Sequence, residues 1–158
     1  GITVNSEYAF SAGGYSFSAG SNTLNGKEAL AFSRERYSFS AGDRQRGKNQ
    51  QAVITGIINK MISPSIITNY TNILSAVSDS FQTSLSTSEI QSLVRIQLND
   101  MSSWDIQTYS LDGSGASRST YSYGSTPLYV MIPDQSTVTQ AKTYIDAMES
   151  GQRITVTE

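Results

Sequence analysis

The chain of 158 residues contains no cysteine and no histidine. Without cysteine there is no disulfide, no thiolate nucleophile and no thiolate metal site. Without histidine the usual general base near neutral pH is absent, and so is the side chain that most zinc sites use. Any chemistry must therefore rely on carboxylates, arginine, lysine, tyrosine, hydroxyl groups or a hard metal ion.

Long hydrophobic runs are also absent, because no stretch approaches the ~20 apolar residues that a membrane-spanning helix needs. The chain begins at Gly1 with a strand-like segment and without a signal peptide or an initiator methionine. We therefore expect a soluble fragment of a longer protein. Its length and the lack of a Pro/Gly-rich linker predict a single domain over 1–158. The low charged fraction of 15% and the absence of cysteine are compatible with a secreted bacterial protein.

Hydrophobic periodicity and capping signals predict an α/β or α+β fold. Asn25, with Glu28 three residues later, predicts a helix start, and Ser86 with Glu89 repeats the pattern as a capping box. We expect Asp43 to be the N-cap of a longer helix, which proline ends at position 64. The other predicted elements are a hairpin or long loop over 7–23, a turn over 112–115, helices over 67–81 and 137–148, and strands over 2–5, 104–111, 120–123, 128–132 and 154–157.

Two repeated patterns accompany these elements. The string FSAG occurs at 10–13, 17–20 and 39–42, and its irregular spacing predicts a turn-like tetrapeptide and not a solenoid repeat. In the helix after Asp43, five apolar residues share one broad face. We interpret this face as part of the core, with a lipid-lined wall as the alternative. The five are Val53, Ile54, Ile57, Ile58 and Met61.

Basic residues concentrate in one segment, because six of the eleven lie between Lys27 and Lys48. Three acidic residues oppose them there, which leaves a net charge of +3, whereas the rest of the chain carries −5. A basic island in a net-negative protein predicts a specific anionic ligand. Arginine forks beside a helix N-terminus suit phosphate oxygens, so a pyrophosphate fits best. The residues expected to converge are Arg34, Arg36, Arg46 and Gln50.

Several alternatives stay open at this point. Arg-x-Arg pairs are commonly solvated helix surface, and Lys27 and Lys48 are interpreted as solvated charges. Nucleic-acid binding is disfavoured because the chain is net negative and lacks a helix-turn-helix. Tyr37 could stack or form a hydrogen bond in a site, although an ordinary half-buried tyrosine is the favoured interpretation. The serine-rich loops lack a partner base for nucleophilic catalysis.

The segment 24–51, which reads LNGKEALAFSRER and then GDRQRGKNQQ, resembles the signature of the LytR-CpsA-Psr family of Gram-positive cell-envelope proteins. The opening GITVN and the YVMIPD segment at 129–134 resemble flanking parts of the same family, with streptococcal capsule members as the best match. The resemblance identifies the chain as the C-terminal portion of a single catalytic domain of this family. It implies part of an α/β/α sandwich with a central mixed sheet and a hydrophobic tunnel, the N-terminal half being missing.

The function that the resemblance implies is that of a phosphotransferase. It attaches a glycopolymer, capsular polysaccharide or teichoic acid, from an undecaprenyl-pyrophosphate-linked precursor to peptidoglycan, assisted by magnesium. The intact protein is expected to be membrane-anchored at the extracytoplasmic face, with no nucleic-acid partner. The alternative function is a non-catalytic polyprenyl-phosphate-binding module or an envelope-sensing regulator.

The resemblance also implies roles for individual residues. Arg34, Arg36, Arg46 and Gln50 match the pyrophosphate-binding positions, and the three arginines are assigned to catalysis as well. Asp43 joins the catalytic set by orienting the arginines, with direct catalysis as the alternative. Asn49 stands where many members carry arginine. No metal ligand is assigned, because the Mg²⁺ ligands are expected mainly from the missing half. The fragment alone is therefore expected to be inactive, and the missing half may be a separate chain.

Overall fold

The computed structural model describes residues 1–64, 69, 71–72 and 83–157. They divide into two compact units, Gly1–Ile106 and Gln107–Glu158. Helices and strands are mixed along the chain, which confirms the predicted α/β class. The single-domain assignment stays a prediction. Across the described ranges, no helix has the length and apolar character that crossing a membrane requires.

The first unit opens with two nested β-hairpins. The outer pair is antiparallel and joins Ile2 to Leu24, and the inner pair joins Phe10 to Phe17. This arrangement confirms the strand predicted at 2–5 and the hairpin interpretation of 7–23. The four strands are β1 (Ile2–Ser6), β2 (Phe10–Ala12), β3 (Tyr15–Phe17) and β4 (Gly20–Leu24).

Helix α1 (Gly26–Arg34) follows directly, and its start is the predicted capping box. The Asn25 side chain accepts hydrogen bonds from the backbone N–H groups of Lys27 at 2.9 Å and Glu28 at 3.1 Å. The Glu28 carboxylate accepts in return from the Asn25 N–H at 2.7 Å. These bonds satisfy N–H groups that have no partner within the helix.

Helix α2 (Asp43–Met61) begins one residue earlier than predicted, because Gly42 and not Asp43 is its N-cap. Gly42 has φ of 50°, a conformation that glycine adopts at low cost. Asp43 lies in the first turn instead, where its carboxylate pairs with Arg46 and its charge complements the helix dipole. The helix ends at Met61, before Pro64.

The core of the first unit is a cluster of phenylalanine rings. Phe10 lies 4.9 Å from Phe17 and 5.2 Å from Phe32, and Phe39 packs edge-on against Phe10 at 4.8 Å. Three of these four rings come from the FSAG strings. The glycine that ends each string has a positive φ. Each FSAG string therefore contributes a phenylalanine to the core and a glycine to a turn, so it has a packing role as well as the predicted turn-like one.

The face that α2 turns toward the core differs in part from the predicted one, although Val53 packs against the core as expected. Ile54, Ile57 and Met61 are 56%, 43% and 51% exposed, so their assignment to the core was wrong. The buried positions carry small or polar residues because α2 lies very close to β1. A Cβ added to Gly56 would lie 2.7 Å from the Thr3 carbonyl oxygen. The buried residues of α2 are Gln45, Asn49 and Gly56.

Helix α3 (Thr87–Asp100) starts at the predicted capping box of Ser86 and Glu89. The helix predicted over 67–81 lies outside the described residues, apart from positions 69 and 71–72. The strand predicted over 104–111 is wrong, because this segment has no assigned strand structure. The indole N–H of Trp104 donates to the Gln97 side chain of α3 at 2.7 Å, so the first residue of this segment contacts a helix.

The second unit contains an antiparallel hairpin and a helix. Its elements are β5 (Gly113–Ser119), a 3₁₀ turn (Tyr121–Tyr123), β6 (Pro127–Pro133) and α4 (Gln135–Glu149). Strand β6 and helix α4 confirm the predictions at 128–132 and 137–148. The turn at 112–115 and the strand at 120–123 were wrong, because β5 itself begins at 113 and pairs along its length with β6.

The final strand predicted over 154–157 was also wrong. The side chain of Gln107 takes the place of a neighbouring strand there. Its amide donates to the Ile154 carbonyl at 2.9 Å, and its oxygen accepts from the Val156 N–H at 2.6 Å. One side chain thus satisfies backbone groups that a strand pair would otherwise satisfy.

Candidate anion-binding site

A surface pocket of about 510 Å³ lies where α1 ends and α2 begins. Four of the five residues predicted for the site line it, and Tyr37 is the additional lining residue. Asp43 does not line the pocket but pairs with one residue that does. The lining residues are Arg34, Arg36, Tyr37, Arg46 and Gln50. The structure therefore places the four predicted ligand-binding residues together, while their roles stay predictions.

The backbone at the end of α1 brings two arginines to the same pocket. Arg34 is the last residue of α1, and Glu35 leaves the helix in an extended conformation with ψ of 134°. Extended backbone turns alternate side chains to one side, so Arg34 and Arg36 can face the pocket together. The Glu35 carboxylate instead accepts from the Ser38 N–H at 2.8 Å. This bond lowers the pKa of Glu35.

Arg46 and Gln50 come from one face of α2, four residues apart. Buried polar bonds fix this face against α1. The Asn49 amide donates to the Phe32 carbonyl at 3.3 Å, and the Gln45 amide donates to the Asn49 oxygen at 3.2 Å. These bonds satisfy a carbonyl near the α1 C-terminus and fix the position of α2 relative to α1, the two helices that supply the pocket lining.

Asn49 is a structural residue that the sequence analysis noted only as a departure from the family pattern. It is 3% exposed, and a buried amide must keep its hydrogen bonds to avoid a desolvation cost. A polar pair four residues apart, on the face that also carries Gly56, was the available signal. The ring of Phe39 further anchors the intervening loop by packing on the core.

The pocket is strongly cationic, because three guanidinium groups line it and none of the lining residues is acidic. Asp43 offsets part of this charge through its pair with Arg46, whose side chain is 35% exposed. Lys48 points elsewhere and pairs with Glu7 at 3.6 Å. A hydrogen bond from the Tyr8 hydroxyl, followed by the attraction of Lys48, lowers the pKa of Glu7.

Tyr37 contacts the neighbouring arginine in two ways. Arg36 donates from Nη2 to the Tyr37 hydroxyl at 3.0 Å. Its Cζ also lies 4.7 Å from the centre of the tyrosine ring, within the range of a cation–π contact. The interpretation of Tyr37 as half-buried was wrong, because the residue is 85% exposed.

An apolar pocket of about 350 Å³ follows the cationic one along the α1–α2 pair. Ser33 of its lining precedes Arg34 in the chain, and Val53 lies one helical turn beyond Gln50. Ile57, whose exposure contradicted the predicted core, also lines this pocket. Its other aliphatic walls include Leu24, Ala29 and Leu30. One face of the helix pair is thus basic at one end and apolar at the other.

The lining of the cationic pocket does not fit a magnesium ion. Mg²⁺ takes oxygen ligands, usually with one or two carboxylates. The pocket offers three positive groups, and the nearby Asp43 is already paired with Arg46. Within 1–64, 69, 71–72 and 83–157, no three acidic side chains gather closely enough to hold a metal. No metal ligand is therefore assigned to these residues.

Comparison with known proteins gives three kinds of similarity. A family model described as the LytR_cpsA_psr family matches residues 1–144. A "Polyisoprenyl-teichoic acid--peptidoglycan teichoic acid transferase TagU" from Bacillus licheniformis is 43% identical over 108 residues, which cover 68% of this chain and 31% of that protein. The protein of the same name from Bacillus subtilis is 47% identical over 85 residues, or 54% of this chain and 28% of that protein.

A solved structure shows the same fold. The crystal structure of B. subtilis TagU matches with a TM-score of 0.63 and 35% identity, over 99% of this chain and 59% of that one. The chain spans about a third of the length of the curated relatives that it matches.

Proposed function

Because the chain belongs to the LytR-CpsA-Psr family, we propose that it supplies the head-group site of a glycopolymer–peptidoglycan phosphotransferase. The donor is a polymer, teichoic acid or capsular polysaccharide, linked through pyrophosphate to a polyprenyl lipid. One observation carries this proposal: the pocket lined by three arginines and a glutamine lies next to a separate apolar pocket, whose nearest residue on α2, Val53, is one helical turn beyond Gln50. A ligand with an anionic head and a long apolar tail matches both pockets. The Bacillus relatives are named as teichoic acid transferases, which supports this class of reaction.

The arginines suit the head group for reasons of charge and shape. A pyrophosphate diester carries two negative charges, and a planar guanidinium can donate two parallel hydrogen bonds to one phosphate. Arg34, Arg36 and Arg46 together exceed that charge, and the pair with Asp43 brings the balance close to neutral. The amide of Gln50 adds a neutral donor at the same wall. The first turn of α2 adds the positive end of its dipole.

The proposed step is a phosphoryl transfer. The oxygen of a peptidoglycan hydroxyl forms a bond to the polymer-side phosphorus, and the bond from that phosphorus to the bridging oxygen breaks. The lipid monophosphate leaves with the electron pair, and the arginines stabilise the charge that develops on it. Positioning and charge stabilisation provide most of the catalysis in such reactions, so the absence of histidine is no obstacle.

The hydroxyl proton must pass to a base outside the pocket lining, because none of the five lining residues is a carboxylate. We propose that this base and the ligands of an assisting Mg²⁺ belong to the rest of the protein, in the same or a separate chain. When bound, that ion would supply further charge neutralisation. Residues 1–158 alone are then expected to bind the head group without turnover. We further propose that the intact protein is anchored in the membrane with this site at the extracytoplasmic face, where a lipid-linked donor would meet peptidoglycan.

The same absence of a carboxylate favours a second candidate, a module that binds polyprenyl phosphates without catalysis. The two differ in turnover. The test uses the intact protein, a lipid-pyrophosphate-linked glycopolymer as donor and peptidoglycan as acceptor, in the presence of magnesium. Product formation and lipid monophosphate release are measured together, because transfer must yield both in equal amounts.

The informative variant is Arg34→Ala/Arg46→Ala, and Arg95→Ala/Arg153→Ala is the control, because it removes the same charge from exposed positions outside the pocket. We expect the first to reduce transfer by roughly 100-fold or more, the usual scale for lost transition-state donors. The control should retain nearly full transfer. Binding of donor without product in the wild type would support the binding module. Full transfer by Arg34→Ala/Arg46→Ala would rule out both candidates.

A further inference from the structure

We propose that Tyr37 is a positioning residue that holds the Arg36 guanidinium toward the phosphate pocket. The proposal rests on the proposed function, since it assigns a new residue to the same site. It starts from two contacts between the side chains. The Tyr37 hydroxyl accepts from Arg36 Nη2 at 3.0 Å, and the Arg36 Cζ lies 4.7 Å from the ring centre.

The exposure of Tyr37 shows that its ring does not serve the core. At 85% exposed, the side chain gains little from hydrophobic burial. Its contacts are with an arginine that lines the same pocket. An arginine side chain loses rotamer entropy when it is fixed on a ligand, so a partner that orders it in advance lowers the cost of binding.

The choice of a neutral partner matters for an anion site. Arg46 is ordered by Asp43, and that carboxylate cancels part of the charge that an anion would feel. Tyr37 orders Arg36 without adding negative charge. The hydroxyl occupies one of the five guanidinium N–H donors, which leaves four for phosphate oxygens. The site therefore combines one charge-compensated arginine with one that keeps its full charge.

The role predicts graded losses of affinity. Tyr37→Phe keeps the ring contact and removes the hydroxyl acceptor, so we expect about 3-fold weaker binding of a pyrophosphate ligand. Tyr37→Leu removes both contacts, and we expect about 10-fold weaker binding. Neither variant should change thermal unfolding, because the side chain is almost fully exposed.

The test is a double-mutant cycle on the intact protein, with farnesyl pyrophosphate as the probe and calorimetry as the measurement. Tyr37→Leu is made in the wild type and in an Arg36→Ala background, and Tyr121→Leu is the control because Tyr121 is also fully exposed, in the second unit. We expect the Tyr37 substitution to have almost no effect once Arg36 is absent, since a positioning residue acts only through the group that it positions.

An equal loss of affinity in both backgrounds would overturn the proposal, because Tyr37 would then act independently of Arg36. So would wild-type affinity in Tyr37→Leu. The proposed function fails differently: Arg34→Ala/Arg46→Ala would bind the probe as the wild type does, or the wild type would not bind it at all. The second of these outcomes also overturns the role of Tyr37.

Discussion

The close approach of α2 to β1 gives a prediction whose sign the structure determines. A methyl group added at Gly56 would lie 2.7 Å from the Thr3 carbonyl oxygen, 3.3 Å from Val4 Cγ1 and 3.5 Å from Ile2 Cδ1. The first contact is with backbone, which cannot rotate away as a side chain can. Overpacking of this kind costs about 1–3 kcal/mol. Alanine recovers at most about 1 kcal/mol of helix propensity.

A contact of 2.7 Å against backbone falls in the upper part of this overpacking range, about 2–3 kcal/mol. After the gain in helix propensity, we therefore expect Gly56→Ala to lower the free energy of unfolding of the first unit by about 1–2 kcal/mol. Gly47 provides the matched control in the same helix, because a Cβ added there meets no atom within 4 Å. Gly47→Ala should stabilise by about 0.5–1 kcal/mol, the ordinary difference between alanine and glycine in a helix. The two substitutions, identical in chemistry, thus have opposite signs.

The assay is urea unfolding followed by tryptophan fluorescence, since the chain has one tryptophan, Trp104, and it lies in the first unit. Equal slopes of free energy against urea in all three proteins would show that only stability has changed. If Gly56→Ala stabilised the protein as much as Gly47→Ala, the close packing of α2 on β1 would be refuted.

Two further predictions concern the bonds around the pocket. Asn49→Ala leaves the Phe32 carbonyl without its amide partner, so we expect the free energy of unfolding in urea to fall by about 1–3 kcal/mol. Asn59→Ala, on the exposed face of the same helix, should change it very little. Equal effects of the two substitutions would contradict the buried role of Asn49. The hydrogen bond from Ser38 lowers the pKa of Glu35 from its usual 4.5, so the bond contributes stability above that value and loses it as pH falls through the lower folded pKa. In an NMR titration the Ser38 amide should shift with a midpoint below 4.5, and a midpoint at or above the usual value would refute the bond.

Local signals in the sequence were sufficient for much of the fold. The capping boxes at Asn25 and Ser86 depend on residues three apart, so the sequence contains all the partners. The alternation over 128–132 and the helical period over 137–148 are likewise local, and both elements form. The nested hairpins follow from short strands joined by glycine-containing turns.

Burial on α2 could not be predicted in the same way. Hydrophobic periodicity selected Ile54, Ile57 and Met61, yet the helix turns these residues outward. The distance to β1 decides the buried face, and only glycine at position 56 permits it. The N-cap is Gly42 and not the predicted Asp43, and the Asp43 carboxylate pairs with Arg46 instead of capping the helix.

The residues that line the candidate site were easier to predict than the contacts that hold them in place. Arg34, Arg36, Arg46 and Gln50 were selected because charge and spacing are visible in the sequence, and the structure brings them to one pocket. The loop anchor at Phe39 depends on ring contacts across the fold. The contact of Tyr37 with Arg36 depends on side-chain geometry at a helix end. Neither can be derived from spacing alone.

The central claim is that the cationic pocket holds the head group of a polyprenyl pyrophosphate, and lipid mass spectrometry of the purified intact protein tests it most directly. We expect polyprenyl phosphate or pyrophosphate to co-purify with the wild type and with Arg95→Ala/Arg153→Ala, and to be lost from Arg34→Ala/Arg46→Ala. Equal lipid in all three proteins, or none in the wild type, would contradict it.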